Sequence, residues 1–216
     1  MILNKNTAKK TAEFLLQIKA IKLQPQNPFT WASGWHSPIY CDNWISLSHH
    51  KTRTYIQEQL AKAIIKHFNK PDIIAGVATG AIAHGILVAQ ALELPFVYVR
   101  PEPKKHGRKN QIEGYLDKGQ NVVVVEDLIS TGKSSMQAIK ALRESGASVK
   151  CLLSIFDYNF EVAKKRFKKE NVSVYSLSDY NHLIELATEN RFILKSEEQV
   201  LKNWRLAPQK WKPWQL

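Results

Sequence analysis

Two adjacent carboxylates, Glu126 and Asp127, end the run NVVVV that starts at Asn121, and LISTGKSS follows them at once. Four consecutive valines specify a strand covered on both faces, and parallel sheets bind ligands beyond the carboxyl ends of such strands. Neighbouring carboxylates at that exit repel one another and lose hydration, so they require hydrogen-bond donors or a cation. Vicinal sugar hydroxyls are suitable donors, one to each acid. Behind the acids, Ser130, Thr131, Ser134 and Ser135 offer hydroxyls. Gly132 lets backbone N–H groups approach a ligand closely, and a helix start adds the positive end of its dipole, which together make a phosphate-binding device. The stretch therefore reads as a site for a sugar phosphate. Simple capping of the next helix by the acids is the bland alternative. A nucleoside-triphosphate P-loop does not fit, because its first glycine would fall where Asp127 stands. No strand runs into G-x-G-x-x-G either.

The elements that must position these groups follow from the alternation along the chain. A first amphipathic helix carries Phe14, Leu15, Ile18 and Ile21, and another is expected from about Lys51 to Phe68. Between them lies the irregular, aromatic segment QPQNPFTWASGWHSPIYCDNWISL. Then strand-like runs (DIIAGVA, PFVYVR, NVVVVEDLI, VKCLLSIFDY, VSVYSLS) alternate with helical ones (AIAHGILVAQAL, KSSMQAIKALRES and residues 160–169). A last helix from Asp179 to Leu201, broken in two, precedes a tail rich in tryptophan and proline. This is the pattern of a mainly parallel twisted sheet flanked by helices, an α/β fold with right-handed crossovers. A chain of 216 residues suits one domain.

One connection breaks the alternation. PEPKKHGRKNQIEGYLDKGQ joins two strands where a helix would be usual, and it is long and polar. With the strand-end Arg100 it gathers Lys104, Lys105, His106, Arg108 and Lys109 against Glu102 alone. That is a suitable lid for a polyanion. The whole chain is basic, with a formal net charge of +12, which permits nucleic acid, a membrane surface or a polyanionic small substrate. Lysines scattered this way usually solubilise, so the clustered ones carry the argument. Cys41 and Cys151 match no metal-ligand spacing and read as free thiols in a reducing cytoplasm. The N-terminal stretch has charges among its apolar positions, unlike a signal peptide, and no apolar run has the length of a membrane span.

VVVVEDLISTGKSS resembles the phosphoribosyl-diphosphate motif of the type I phosphoribosyltransferases. FTWASGWHSPIYCD is similar to the F-T-x-x-S-G-x-x-S-P segment of the orotate-specific branch. IIAGVATGAIAHGILVA is similar to the second βα turn of that branch, and YVRPEPKKHGRKNQIEG to its mobile loop, R-x-x-x-K-x-H-G. The likeness runs from about Leu15 to Leu186. It implies a type I phosphoribosyltransferase fold over residues 1–216, with a small hood formed by roughly 23–48 plus C-terminal elements and a mobile catalytic loop at roughly 101–118. It also implies transfer of ribose 5-phosphate from phosphoribosyl diphosphate to orotate, Mg2+ on the substrate oxygens, and a homodimer with shared active sites.

Residue by residue, the resemblance implies that Glu126 and Asp127 hold the ribose hydroxyls, Asp127 also flanking the sugar cation. The stretch Leu128, Ile129, Ser130, Thr131, Gly132, Lys133 and Ser134 would receive the 5-phosphate, with Ser130 reaching the orotate side. Arg100, Lys104, Lys105 and His106 would contact diphosphate, Lys104 and His106 as catalytic groups. Backbone at Thr79, Gly80 and Ala81 would meet diphosphate. Phe29, Tyr40 and Tyr158 would line the orotate side. His84 and His182 read as packing or surface residues. No protein side chain is assigned as a direct metal ligand; Mg2+ would sit near Glu126 and Asp127 through substrate oxygens and water.

The chain departs from the family on the base side. Ala32 stands where a lysine is common, Gly80 replaces another, and Tyr158 follows Asp157 where an arginine would meet the orotate carboxylate. His36 and Trp44 also occupy positions expected to be basic. The sugar-phosphate half is thus better supported than the identity of the base. Two alternatives stay open: transfer to another base, or a phosphoribosyl-diphosphate sensor that binds nucleic acid. The hood segment argues against a purine, and the lack of a nucleic-acid-binding signature argues against the sensor.

Overall fold

The computed structural model describes residues 1–31, 34–102 and 111–212. The elements run α1 (Lys5–Gln17), β1 (Ile21–Leu23), β2 (Phe29–Thr30), β3 (His36–Ser37), β4 (Ile39–Cys41), a 3-10 helix (Asn43–Ser48), α2 (His50–Phe68), β5 (Ile73–Val77), α3 (Ile82–Leu92), β6 (Phe96–Val99) and β7 (Ile112–Glu113). They continue with β8 (Asn121–Ile129), α4 (Lys133–Glu144), β9 (Ser148–Asp157), α5 (Glu161–Lys169), β10 (Val174–Asp179), α6 (Tyr180–Glu189) and α7 (Lys195–Leu206).

The main sheet has the order β10-β9-β8-β5-β6-β7. Its strands are parallel except β7, which pairs antiparallel with β6. Alternation along β8 explains the two-sided burial. Val123 and Val125 join a core with α1, α2, α3, α6 and α7, while Val122 and Val124 join a second core with α4 and α5. All four valines are fully buried, and burying one such side chain is worth about 1.5–3 kcal/mol. The central strand is therefore a rigid platform, and what leaves its carboxyl end is held in place.

The N-terminal hood is built from two short antiparallel ribbons, β1 with β4 and β2 with β3. The final helical region is broken as expected, but its second part continues to Leu206 and takes in the start of the segment read as a tail. The reason is Trp204. It is fully buried and packs at ring-centroid distances of 5.6–5.9 Å against Trp31, Tyr158, Phe160 and Tyr180. The helix ends at Leu206 with Ala207 as its cap, so Pro208 follows the helix and does not oppose it. The connection expected to be structureless contains β7, two residues recruited as an antiparallel edge.

Candidate active site

Glu126 and Asp127 lie inside β8, which continues to Ile129, and strand alternation sends their side chains to opposite sides. The Glu126 side chain is 3% exposed and accepts a hydrogen bond from Ser135 Oγ at 2.8 Å through Oε2, while the Asp127 amide donates to Oε1 at 3.2 Å. Asp127 is only partly buried. Its carbonyl accepts a 2.7 Å hydrogen bond from Asn43 Nδ2, which comes from the 3-10 helix after the hood. Burial, and after it the neighbouring Asp127 charge, hold the Glu126 carboxyl well above the usual carboxylate range. Burial raises Asp127 too, against hydrogen bonds from Glu126 and the Leu128 backbone that favour its charged form. The pair thus keeps a proton into a higher pH range than two free carboxyls would, and hydroxyl donors or a cation would relieve the repulsion.

The second βα turn meets this pair directly. A Cβ built on Gly80 would lie 2.4 Å from the Asp127 carboxylate carbon, so the carboxylate occupies the space a side chain at position 80 would need. A side chain at position 80 would therefore have to displace that carboxylate. The Ala78–Thr79 peptide just before it is cis. Thr79 is exposed, whereas Ala81 is fully buried, so any ligand contact of Ala81 is through its backbone.

Beyond Asp127 the chain turns sharply. Gly132 has φ +68°, and a Cβ there would approach the Phe167 ring to 2.7 Å, so both the conformation and the α5 packing require glycine. Helix α4 begins next with no capping side chain and no acid in its first turn, leaving its first N–H groups for a ligand. Lys133 and Ser134 are exposed there, Ser130 and Thr131 partly so, and Ser135 is turned inward to Glu126. Arg166 Nη1 of α5 donates to the Thr131 carbonyl and braces the turn from behind. Leu128 packs partly buried against the core, while Ile129 is fully buried with its carbonyl accepting from the Tyr158 amide at 3.0 Å, so Ile129 reaches a ligand only through backbone.

The basic loop leaves the sheet at Arg100. There the Arg100 amide donates to the Gln111 carbonyl and Gln111 Nε2 donates to the Arg100 carbonyl, each at 2.8 Å. The Arg100 guanidinium stays half-exposed, 3.4 Å from Glu113. Lys104, Lys105 and His106 lie outside the described residues, as does Ala32. Among the described residues, no three His, Cys, Asp or Glu form a metal-holding group. Two carboxylates beside a phosphate turn nonetheless fit the way Mg2+ is held, through one or two acids together with substrate oxygens and water.

On the base side one expectation is corrected. Tyr158 is 2% exposed and sits inside an aromatic cluster with Trp31, Phe156, Phe160, Tyr180 and Trp204. Its ring is core rather than a surface offered to a ligand, because a neutral aromatic gains more from that cluster than from water. Phe29 and Tyr40 come together at 5.6 Å, with Tyr40 exposed. His84 packs as expected: it is buried, its Nε2 lies 3.2 Å from Ser46 Oγ, and burial lowers its pKa to about 4. Asp179 caps α6 by accepting from the His182 amide at 3.0 Å, and the partly buried His182 ring packs beside the same carboxylate with Nδ1 at 2.7 Å. Sequence reasoning missed Asn43 and Arg166, both of which hold the site's backbone. Only a contact between segments far apart in the chain reveals them.

The phosphoribosyl transferase domain model matches residues 43–183. The orotate phosphoribosyltransferase of Bacteroides thetaiotaomicron is 49% identical over 207 residues, covering 96% of this chain and 98% of that protein. The orotate phosphoribosyltransferase of Cytophaga hutchinsonii is 45% identical over 207 residues, with 96% and 99% covered. Among solved structures, the orotate phosphoribosyltransferase of Aeropyrum pernix superposes with a TM-score of 0.69 at 27% identity, covering 81% of this chain and 97% of that one.

Proposed function

We infer the activity from membership: the chain belongs to the orotate phosphoribosyltransferases, within the phosphoribosyl transferase domain family. It transfers the ribose 5-phosphate group from 5-phospho-α-D-ribose 1-diphosphate to orotate, giving orotidine 5-phosphate and diphosphate, a pentosyl transfer in pyrimidine nucleotide synthesis. One observation carries the site assignment. The acidic pair near the end of β8 lies against the β5 turn at Gly80 on one side and runs into the phosphate turn on the other.

In the reaction a ring nitrogen of orotate bonds to the anomeric carbon as the bond to the diphosphate oxygen breaks, and the proton that nitrogen carried is lost to the departing diphosphate or to solvent. Glu126 and Asp127 accept hydrogen bonds from the ribose hydroxyls, and the Asp127 charge stabilises the positive character developing on the sugar. The turn at residues 130–134 and the start of α4 hold the 5-phosphate. Backbone at Thr79 and Gly80, together with Arg100, Lys104, Lys105 and His106, holds the departing diphosphate, with Lys104 and His106 as catalytic groups. Ser130, Phe29 and Tyr40 face the base. Glu126 and Asp127 would hold Mg2+ nearby through substrate oxygens and water, and the ion would supply charge neutralisation to the leaving group when bound. The basic loop closes over the site of a neighbouring subunit in a homodimer and excludes water. The enzyme works in the cytoplasm. Among the described residues no helix is long and apolar enough to cross a membrane.

The test follows the fall in orotate absorbance after mixing enzyme, phosphoribosyl diphosphate and Mg2+, with Lys104→Ala alongside. Turnover needing every component and lost in the variant supports both reaction and lid. Wild-type enzyme that binds phosphoribosyl diphosphate but leaves orotate unchanged would overturn the assignment.

A further inference from the structure

The base half of the site lacks its expected cations, and α7 brings one back from the other end of the chain. A cavity of about 340 Å³ is walled mainly by the run from Arg205 to Lys210 and by Phe160, Glu161 and Val162, with Trp35 of the hood and Thr131 of the phosphate turn at its edge. That edge defines its setting. Thr131 belongs to the turn that begins three residues after Asp127. Trp35 belongs to the hood and lies 6.4 Å from Trp31, which in turn touches Tyr158, the position from which an arginine would have reached the base.

Arg205 is well placed to act there. Its neighbour Trp204 is fully buried in the aromatic cluster and donates from Nε1 to the His36 carbonyl at 3.1 Å, so α7 is bolted to the hood. The Arg205 guanidinium is partly buried and donates through Nη1 to the Asn159 carbonyl at 3.1 Å, which leaves most of its five N–H groups for a ligand. The acid on the cavity wall, Glu161, is bonded first to Lys164 at 2.8 Å and feels the Arg205 charge only as a weaker influence. Among the described residues no carboxylate forms an ion pair with Arg205. A planar guanidinium recognises a carboxylate through two parallel hydrogen bonds, and aromatic walls suit a flat ring.

We infer that Arg205, presented by α7, takes over recognition of the base's carboxylate and sets the enzyme's preference for an acidic pyrimidine. This rests on the orotate reading above. Arg205 does not act on the anomeric carbon; it is a specificity-determining residue.

The experiment compares wild type, Arg205→Met and Arg205→Lys for orotate KM, phosphoribosyl-diphosphate KM and discrimination between orotate and uracil, the same ring without the carboxylate. Losing a charged hydrogen-bonding partner should raise orotate KM by about 30-fold in Arg205→Met. Phosphoribosyl-diphosphate KM should stay within about twofold, discrimination against uracil should fall in parallel with the loss for orotate, and Arg205→Lys should recover part of both. An unchanged orotate KM in an Arg205→Met enzyme overturns the inference while leaving the function standing. So does an equal rise in both KM values, which would mark Arg205 as a phosphate contact or a structural residue. If Arg205→Met does not fold, Arg205→Lys carries the same comparison: a rise confined to orotate supports the inference, and wild-type values refute it. A wild type inert toward orotate would refute the function itself, and this inference with it.

Discussion

Replacing Gly80 with alanine would test whether the second turn and the acidic pair work as one unit. The added Cβ would fall 2.4 Å from Asp127 Cγ and Oδ2 and 2.5 Å from Oδ1, where ordinary contact begins at 3.4 Å. Relief therefore requires a shift of about 1 Å in the carboxylate, the turn or both. Gly80 does not have the positive φ that penalises other residues, so the backbone accepts alanine and loses less entropy on folding, a gain of roughly 0.4–1 kcal/mol. Stability should stay near that of the wild type. Activity should not, because a misplacement of that size at a reacting centre can cost on the order of 100-fold, or about 2.7 kcal/mol of transition-state stabilisation. The assay is kcat/KM for phosphoribosyl diphosphate beside a thermal melt, repeated with Asp127→Ala alone and combined. If the glycine acts through Asp127, the double variant should be no slower than Asp127→Ala. Gly80→Ala enzyme with wild-type kcat/KM would refute the reasoning, as would a further full loss in the double variant.

Two other outcomes follow from the same pair. Glu126→Gln removes a charge that burial disfavours, so its stabilising effect should begin as pH rises past the unfolded-state glutamate pKa and reach full size above the elevated folded pKa. The gain should vanish at acid pH, where wild-type Glu126 is protonated folded or unfolded; Tm measured against pH for both proteins checks the sign, and a gain that grows toward acid contradicts it. Asn43→Ala leaves the Asp127 carbonyl without its 2.7 Å donor. It should cost about 1–3 kcal/mol, seen as a Tm lower by several degrees, together with a fall in kcat as the pair loosens.

Much of this site could be read in one dimension because its parts are contiguous. The valine run, the two acids and the glycine turn lie within 15 residues, and each announces its own conformation: continuous apolar residues for a two-sided strand, Gly132 for the left-handed turn. The strand and helix alternation was legible for the same reason. What escaped depends on distant partners. Asn43 and Asp127 are 84 positions apart, and no local pattern marks an asparagine as the anchor of a strand end. Tyr158 was placed on the base by its position after Asp157; only the arrival of Trp31 and Trp204 turns its ring into core. The two residues of β7 have no strand signature of their own and are ordered by pairing with β6.

The doubled hydrogen bond between Arg100 and Gln111 has a bearing on how such enzymes diverge. It fastens together the two points where the basic segment leaves and rejoins the sheet. For a loop closed this way, doubling its length costs only about 0.6 kcal/mol. Insertions, deletions and charge changes inside it can therefore accumulate with little consequence for folding. A segment from a relative could be spliced at these two residues without redesigning the scaffold beneath it.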